Sequence, residues 1–260
     1  MDTKVQNARW RRWYKCSLCE QDYHGVVRCA LGWGCWKTYL GRPETDQVRS
    51  MAMTVLGNGL YAAHHNEEAL SVEEANLSTV RRFGTSEEDL LAAQANIAST
   101  YQSLGMLEQS LRMKRDVYSG RLRLNGEEHS ETILTASNYA VALVRLKHFE
   151  ETKALMRKTI PVARRVLGDS NALTLRMRMM YAVALYRDPT ATRDDLREAV
   201  AMLEDTERIA RRVLGGTHPL TEGIESCLRH ARAALNAREG RDIGIARCPP
   251  RVARLASDDP

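Results

Sequence analysis

The stretch GTSEEDLLAAQANIASTY (residues 84–101) returns in pattern two more times along the chain. It reappears as GEEHSETILTASNYAVAL (residues 126–143) and as GDSNALTLRMRMMYAVAL (residues 168–185), so that successive copies begin 42 residues apart. A fourth segment, GGTHPLTEGIESCLRHARAAL, begins at Gly215, 47 residues after the third. A period of this length indicates an array of structural repeats.

Within each of the first three copies, a small residue stands fourteen positions after the leading glycine and a larger one follows three positions later. The pairs are Ala98 and Tyr101, Ala140 and Leu143, and Ala182 and Leu185. Alanine lets two helices approach closely, and the larger side chain fills the next layer of the contact. The pattern predicts two antiparallel helices per unit, such as residues 90–104 and 108–124 with a turn at Gly105. The chain is therefore expected to be all-α.

The predicted helix ends carry their own signals. Three second helices end in a basic stretch followed by a glycine that can form a left-handed cap: Gly84, Gly168 and Gly215. Thr192 and Asp195 have the spacing of a capping box. Pro161 removes a backbone donor, so we expect a kink or a helix restart near Thr159.

Several motifs identify the kind of repeat. The pattern LGxxHPxT is present as Leu214, Gly215, His218, Pro219 and Thr221, and a weaker copy is present as Gly126, His129 and Thr132. The segments NIASTYQSLG (residues 96–105) and NYAVAL (residues 138–143) supply two copies of a first-helix pattern.

These residues resemble the tetratricopeptide repeats of the kinesin light chain type over about residues 51–237. The resemblance implies a right-handed superhelical array of about four repeats in residues 46–237. Residues 1–45 are then an N-terminal cap rich in Cys and Trp, and residues 238–260 a disordered tail. The chain has no long heptad region of the kind that holds the motor in kinesin light chains, so we do not expect the kinesin role.

The resemblance also implies a concave groove lined by the first helix of each repeat. The predicted groove residues are Asn58, Tyr61, Asn96, Ser99, Gln102, Asn138, Val141, Arg145, Arg176, Met179, Val183 and Arg187. Asparagine amides can pair with both the N–H and the C=O of an extended peptide, and the three arginines would favour acidic side chains. The prediction is an adaptor or scaffold that binds a protein or peptide. The alternative at these positions is a solvated face without a dedicated ligand.

Composition and missing motifs narrow the function further. Lys and Arg number 38 against 33 Asp and Glu, a net charge of +5, and the body between the chain ends is close to neutral. This balance argues against nucleic-acid binding by the repeats. The sequence contains no GxxxxGK[ST], GxSxG, HExxH or GxGxxG motif, so no catalysis is expected. The uneven cysteine spacing and the lack of an 18-residue apolar stretch predict a soluble cytoplasmic protein without membrane contact.

The N-terminal cap contains a candidate metal site. The spacing C-x2-C-x4-H-x4-C offers three thiolates and an imidazole to a structural zinc ion: Cys16, Cys19, His24 and Cys29. With its aromatic and basic flanks this head would be a zinc-knuckle-like nucleic-acid-binding module, the alternative function, with the repeats as a partner platform. Glu20 and Tyr23, however, occupy positions where such knuckles usually have glycine. A competing interpretation is that residues 26–41 form a truncated cap helix that covers the first repeat.

Overall fold

The computed structural model describes residues 10–84 and 86–246, and this part of the chain consists of ten α-helices and one isolated antiparallel bridge between Lys15 and Asp22. The helices are α1 Gly25–Tyr39, α2 Gln47–Ala62, α3 Asn66–Phe83, α4 Glu87–Ser103, α5 Leu107–Asn125, α6 Ser130–Arg145, α7 Phe149–Leu167, α8 Ala172–Arg187, α9 Arg193–Leu214 and α10 Pro219–Ala246. The predicted all-α class is confirmed. Within the described ranges, no helix has the length and apolar character needed to cross a membrane.

The chain forms two compact units, Met1–Leu146 with α1 to α6 and Lys147–Pro260 with α7 to α10. In the first unit each helix packs against the next one along the chain, from α1 on α2 to α5 on α6. The alanines predicted as contact points, Ala98 and Ala140, are fully buried. Small residues therefore set the spacing of these helix pairs, as the repeat pattern predicts.

The N-terminal cap packs on the first repeat through two glycines. A Cβ atom at Gly59 of α2 would lie 2.8 Å from the carbonyl oxygen of Arg28 in α1. A Cβ atom at Gly32 of α1 would lie 3.1 Å from the Cα of Leu56 in α2. The two backbones are thus in direct contact, at a distance that favours glycine. The predicted cap helix is observed as α1. The Trp10 ring stacks on Tyr39 of α1 with 5.3 Å between ring centroids, and both residues belong to an apolar cluster that includes Ala52 of α2.

In the second unit α8 packs against α7, α9 and α10. Ala182 and Leu185 of α8 are fully buried, as the pattern predicts. The loop between α8 and α9 begins at Asp188, whose carboxylate accepts a hydrogen bond from Lys153 Nζ at 2.9 Å. Lys153 is the largest influence that keeps the pKa of Asp188 well below its usual range, followed by the Thr190 hydroxyl.

The turn and cap signals lie where the sequence predicts. Thr192 and Asp195 form the predicted capping box at the start of α9. Each glycine that ends a second helix has a positive φ, from 64° at Gly84 to 92° at Gly168. Gly168 combines this φ with a ψ of 159°, a backbone region that is essentially restricted to glycine.

Two predictions of helix limits differ from the structure. Pro161 lies inside the continuous helix α7, so the expected restart near Thr159 is wrong, whereas the alternative, a kink at this point, stays a prediction. The buried residues Val162 and Ala163 hold this segment against its neighbours, and packing outweighs the one backbone hydrogen bond lost at proline. Helix α10 reaches Ala246, whereas the sequence predicts a disordered tail from residue 238. Residues 237–239 are Ala, Arg and Glu, which favour helix, and the first prolines of the tail come only at 249 and 250. Cys248 and the rest of the predicted tail lie outside the described residues.

Candidate functional site

Eleven of the twelve predicted groove residues are exposed or half-buried, and the exception is Val183. Only 4% of Val183 is exposed, so it belongs to the core and is removed from the candidate set. The reason is that α8 is covered on three sides, by α7, α9 and α10, and that every residue from Tyr181 to Leu185 is buried. The sequence pattern alone assigns it to a groove face.

Four of the predicted residues of the first unit meet at one cavity of about 300 Å³, called here the amide cavity. Its lining residues come from α1, α2, α3 and α4: Arg28, Asn58, Tyr61, Ala62, Glu73, Asn96 and Ser99. Asn58 and Asn96 stand on neighbouring first helices and line the same space. This is the arrangement that the periodicity predicts for peptide recognition.

A buried carboxylate forms part of the amide cavity wall. Glu73 of α3 is 6% exposed, and its Oε2 accepts a hydrogen bond of 2.8 Å from the Thr100 hydroxyl. Its aliphatic stem lies against Gly57, where an added Cβ would come within 3.0 Å of the Glu73 Cγ. Burial raises the pKa of Glu73 to about 7, and the Thr100 hydrogen bond opposes this rise only in part. Within the described part of the chain, no cation pairs with this carboxylate.

A larger cavity of about 810 Å³, called here the cap cavity, adjoins the amide cavity at Arg28 and Asn58, which line both. Its walls come from the cap and from α1 to α4: Trp10, Arg11, Tyr14, Arg28, Gln47, Ser50, Met51, Thr54, Val55, Asn58, Asn76, Val80, Asp89, Ala92 and Ala93. Asn76 accepts from Ser50 at 2.8 Å and donates to Thr54 at 3.1 Å, which fixes the orientation of its amide. The cap therefore contributes directly to the concave surface.

The other predicted residues of the first unit lie on α4 and α6. Gln102 accepts from Lys114 Nζ at 2.5 Å, so its amide oxygen is already engaged. Asn138 borders Ser99 across a narrow gap. Val141 is half-buried, and Arg145 is exposed at the end of α6.

The remaining candidates lie in the second unit, on α8. The sulfur of Met179 lies close to α10, since a Cβ at Gly223 would be 3.9 Å away. Arg176 is half-buried, and burial lowers its pKa. It also makes an interaction within the protein. Arg187 is exposed.

The four predicted zinc ligands do not converge. Cys16 and Cys19 lie on a tight turn in which the Glu20 amide donates to the Cys16 carbonyl at 3.0 Å. Backbone donors, Cys19 first and Leu18 second, lower the pKa of Cys16 to about 7. His24 occupies the N-cap position of α1 without a side-chain capping hydrogen bond, and Cys29 packs against the apolar cluster around Leu56 and Leu60.

Across residues 10–84 and 86–246, no group of three or more His, Cys, Asp or Glu side chains is placed to hold a metal ion. A tetrahedral zinc site needs four ligands, and the turn brings together only two thiols. The residues therefore do not fit the predicted zinc ion. Glu20 adopts a φ of 56°, which shows how the turn forms without the expected glycine.

Glu73, Asn76 and Arg28 are site residues that the groove pattern missed, because it considers only first helices. A signal for two of them is present in the sequence. Along α3 the buried positions include Ala69, Glu73, Asn76, Leu77 and Val80, so two polar residues occupy an otherwise apolar stripe. Polar residues at core positions need a partner or a ligand.

Comparisons with known proteins agree with this architecture. A tetratricopeptide repeat family model matches residues 132–172. The structure is similar to the crystal structure of BtubC (BKLC) from P. vanneervenii, with a TM-score of 0.61 and 14% identity over 89% of this chain and 96% of that one. It is also similar to a putative kinesin light chain from Podospora anserina with nearly identical TPR-like repeats. That TM-score is 0.62 at 18% identity, covering 79% of this chain and 94% of that one.

A second crystal structure of the Podospora protein, of a form with one substituted residue, gives a TM-score of 0.63 with the same identity and coverage. A search of curated protein sequences finds no match. At identities this low, the similarity shows only a shared fold, which is an all-α array of helix-pair repeats. The chain is therefore similar in fold to kinesin light chain-like repeat proteins, and its residues 132–172 match a tetratricopeptide repeat, in agreement with the resemblance of its repeated motifs.

Proposed function

We propose that the protein is a non-catalytic adaptor or scaffold that binds an extended peptide segment of a protein partner on the concave surface of its first unit. The observation that carries the proposal is the pair of carboxamides, Asn58 and Asn96, at the amide cavity. An open repeat array offers a long surface to a partner, and side-chain amides can read an extended backbone through both its donors and its acceptors.

The charge of the partner is a second part of the proposal. Arg145 in the first unit and Arg187 in the second are exposed cations at the ends of their first helices. Each would attract an acidic segment of a partner bound at its own unit. Such exposed charges act mainly on association rate and are screened by salt.

We place the protein in the cytoplasm. The support for this is that the five described cysteines are all free thiols, which suits a reducing compartment. Two of them, Cys16 and Cys19, are adjacent on one turn, where an oxidising environment would favour a disulfide.

The test selects peptides that bind the full chain from a random phage-displayed library. Calorimetry then measures the affinity of the selected peptides in purified form. The double variant Asn58→Ala/Asn96→Ala should bind these peptides at least about tenfold more weakly, since each lost amide removes a hydrogen bond worth about 1 kcal/mol. The matched control is Gln109→Ala, an exposed amide on α5, which should leave affinity unchanged. Failure to select any peptide, or equal affinity for the double variant, would refute the proposal.

A further inference from the structure

The amide cavity contains a charge that the groove pattern does not explain. Glu73 is only 6% exposed and shares the cavity wall with Asn58, Asn96 and Tyr61, and within the described residues no cation pairs with its carboxylate. Burying an unpaired carboxylate is costly, and folded proteins usually neutralise or pair it. The position is also built for this residue, because Gly57 leaves room for the stem and Thr100 fixes one oxygen.

One oxygen of Glu73 has no protein partner within the described residues. Thr100 donates to Oε2, and Oε1 is left for a donor that enters the cavity. Asn58, Asn96 and Tyr61 line the same space, so that two carboxamide side chains and an aromatic side chain surround it. A planar, multi-donor cation matches this set of acceptors and the aromatic face.

We infer that the amide cavity is a subsite for a basic side chain, above all an arginine, of the peptide that the first unit binds. The inference rests on the proposed function and names one chemical feature of the ligand. The volume of about 300 Å³ admits one such side chain with its water. The bound guanidinium would give Glu73 the partner that it lacks and would hold it in its charged form.

The ionisable groups that face Glu73 from the surrounding helices are Arg28 of α1 and Tyr61 of α2. Arg28 is the one cation among the lining residues and opposes a second one. Arg28 also lines the cap cavity, whose walls include the acidic residue Asp89. Repulsion between Arg28 and the ligand therefore limits the affinity of the subsite without closing it.

The test uses N-acetyl-arginine amide as the probe and N-acetyl-citrulline amide, its uncharged isostere, as the matched control probe. Binding to the full chain is followed by nitrogen-15 NMR titration at pH 8. The arginine probe should give saturable shifts at the backbone amides of Asn58, Tyr61 and Asn96, and the citrulline probe should bind at least about tenfold more weakly. Equal binding of the two probes, or shifts elsewhere only, would overturn the inference.

Three variants sharpen the test. Glu73→Gln should weaken binding of the arginine probe at least about tenfold. Glu74→Gln removes an exposed carboxylate one position along α3 and should leave this binding unchanged. Arg28→Gln should strengthen binding of the arginine probe, because a repulsive charge is gone. Circular dichroism checks that each variant is folded. Loss of binding in Glu74→Gln, or retention in Glu73→Gln, contradicts the assignment.

Proton linkage gives an independent readout. With a pKa of about 7 for Glu73, the ionised fraction rises about tenfold from pH 6 to pH 8, and affinity for the arginine probe should rise with it. An affinity that does not change over this range would count against Glu73 as the partner. If the probe does not bind but the selected peptides bind through Asn58 and Asn96, this inference alone fails; if no peptide binds, the proposed function fails as well.

Discussion

Replacing Glu73 by glutamine should stabilise the first unit at alkaline pH and change its stability little at acidic pH. Glutamine has the shape of glutamate and can still accept the hydrogen bond from Thr100. It carries no charge, so the cost of burying an ionised carboxylate disappears. The substitution therefore isolates the charge at this position from its packing.

The magnitude follows from the raised pKa. Burial moves the Glu73 pKa from 4.5 to about 7, and each pKa unit corresponds to about 1.4 kcal/mol. Between these two values the folded chain binds more protons than the unfolded chain, so the free energy of unfolding falls as pH rises through this window. Summed over the window, wild-type protein loses about 3 kcal/mol that the Glu73→Gln variant keeps. Because the side chain is 6% exposed, solvent screening reduces this value little.

The assay is urea unfolding at pH 5 and pH 8, followed by tryptophan fluorescence. The four tryptophans all stand between residues 10 and 36, so the signal reports on the first unit. We expect Glu73→Gln to exceed wild type by about 3 kcal/mol at pH 8 and by less than about 1 kcal/mol at pH 5, where the loss has only begun. Glu74→Gln is the control and should show no such pH dependence. A stability difference that is the same at both pH values would refute the assignment of Glu73 as a buried, unpaired carboxylate.

Three further predictions concern packing, the buried ion pair and metal content. Gly59→Ala should cost about 1–3 kcal/mol because its Cβ would meet the α1 backbone at 2.8 Å, whereas Gly223→Ala, whose Cβ would make only an ordinary contact with Met179, should be neutral or slightly stabilising; urea unfolding measures both, and equal effects would contradict the close helix contact. Lys153→Met should cost about 3–5 kcal/mol in thermal unfolding, because it leaves Asp188 charged and 7% exposed without its partner; a loss below about 1 kcal/mol would argue against a buried pair. Mass spectrometry of metals in protein purified under reducing conditions should find less than one zinc per chain, since only two predicted ligands meet, and a stoichiometric content would contradict the described geometry of the cap.

The fold could be predicted because the same sequence pattern occurs several times. Alanine recurs where helices touch and glycine recurs where second helices end, so an ambiguous position in one copy can be assigned from the equivalent positions in the others. The periodicity predicts a first helix at residues 90–104, and the structure has it at Glu87–Ser103. The remaining shift arises because Ser86 caps the helix by accepting from the Asp89 amide, a signal that the periodicity does not contain.

The candidate site could be predicted only in part. First-helix periodicity correctly places Asn58 and Asn96 on one surface, but it treats every helix as if it had one free side. Val183 is buried because α10 covers α8, which depends on tertiary packing that a repeat register does not encode. Glu73 lies on a second helix, outside the surface that the family pattern considers. The sequence signal for it is its position as a polar residue within a buried apolar stripe.

The cap is where spacing alone is least informative. The C-x2-C-x4-H-x4-C pattern is shared by chains that fold around zinc and by chains whose cysteines serve other purposes. Here α1 begins at Gly25, and helix formation carries Cys29 into the contact with α2, away from Cys16 and Cys19. The driving force is the close glycine contact between α1 and α2, which the metal-ligand spacing does not reveal.

The central claim is that the concave surface of the first unit binds an extended peptide. The most direct measurement is nitrogen-15 NMR of the full chain titrated with a peptide selected on it. We predict that the largest shifts fall on the groove-facing residues of α2 and α4, including Asn58, Tyr61 and Asn96, and that they saturate together. Shifts concentrated on exposed residues of α3 and α5, with these three unchanged, would contradict the account.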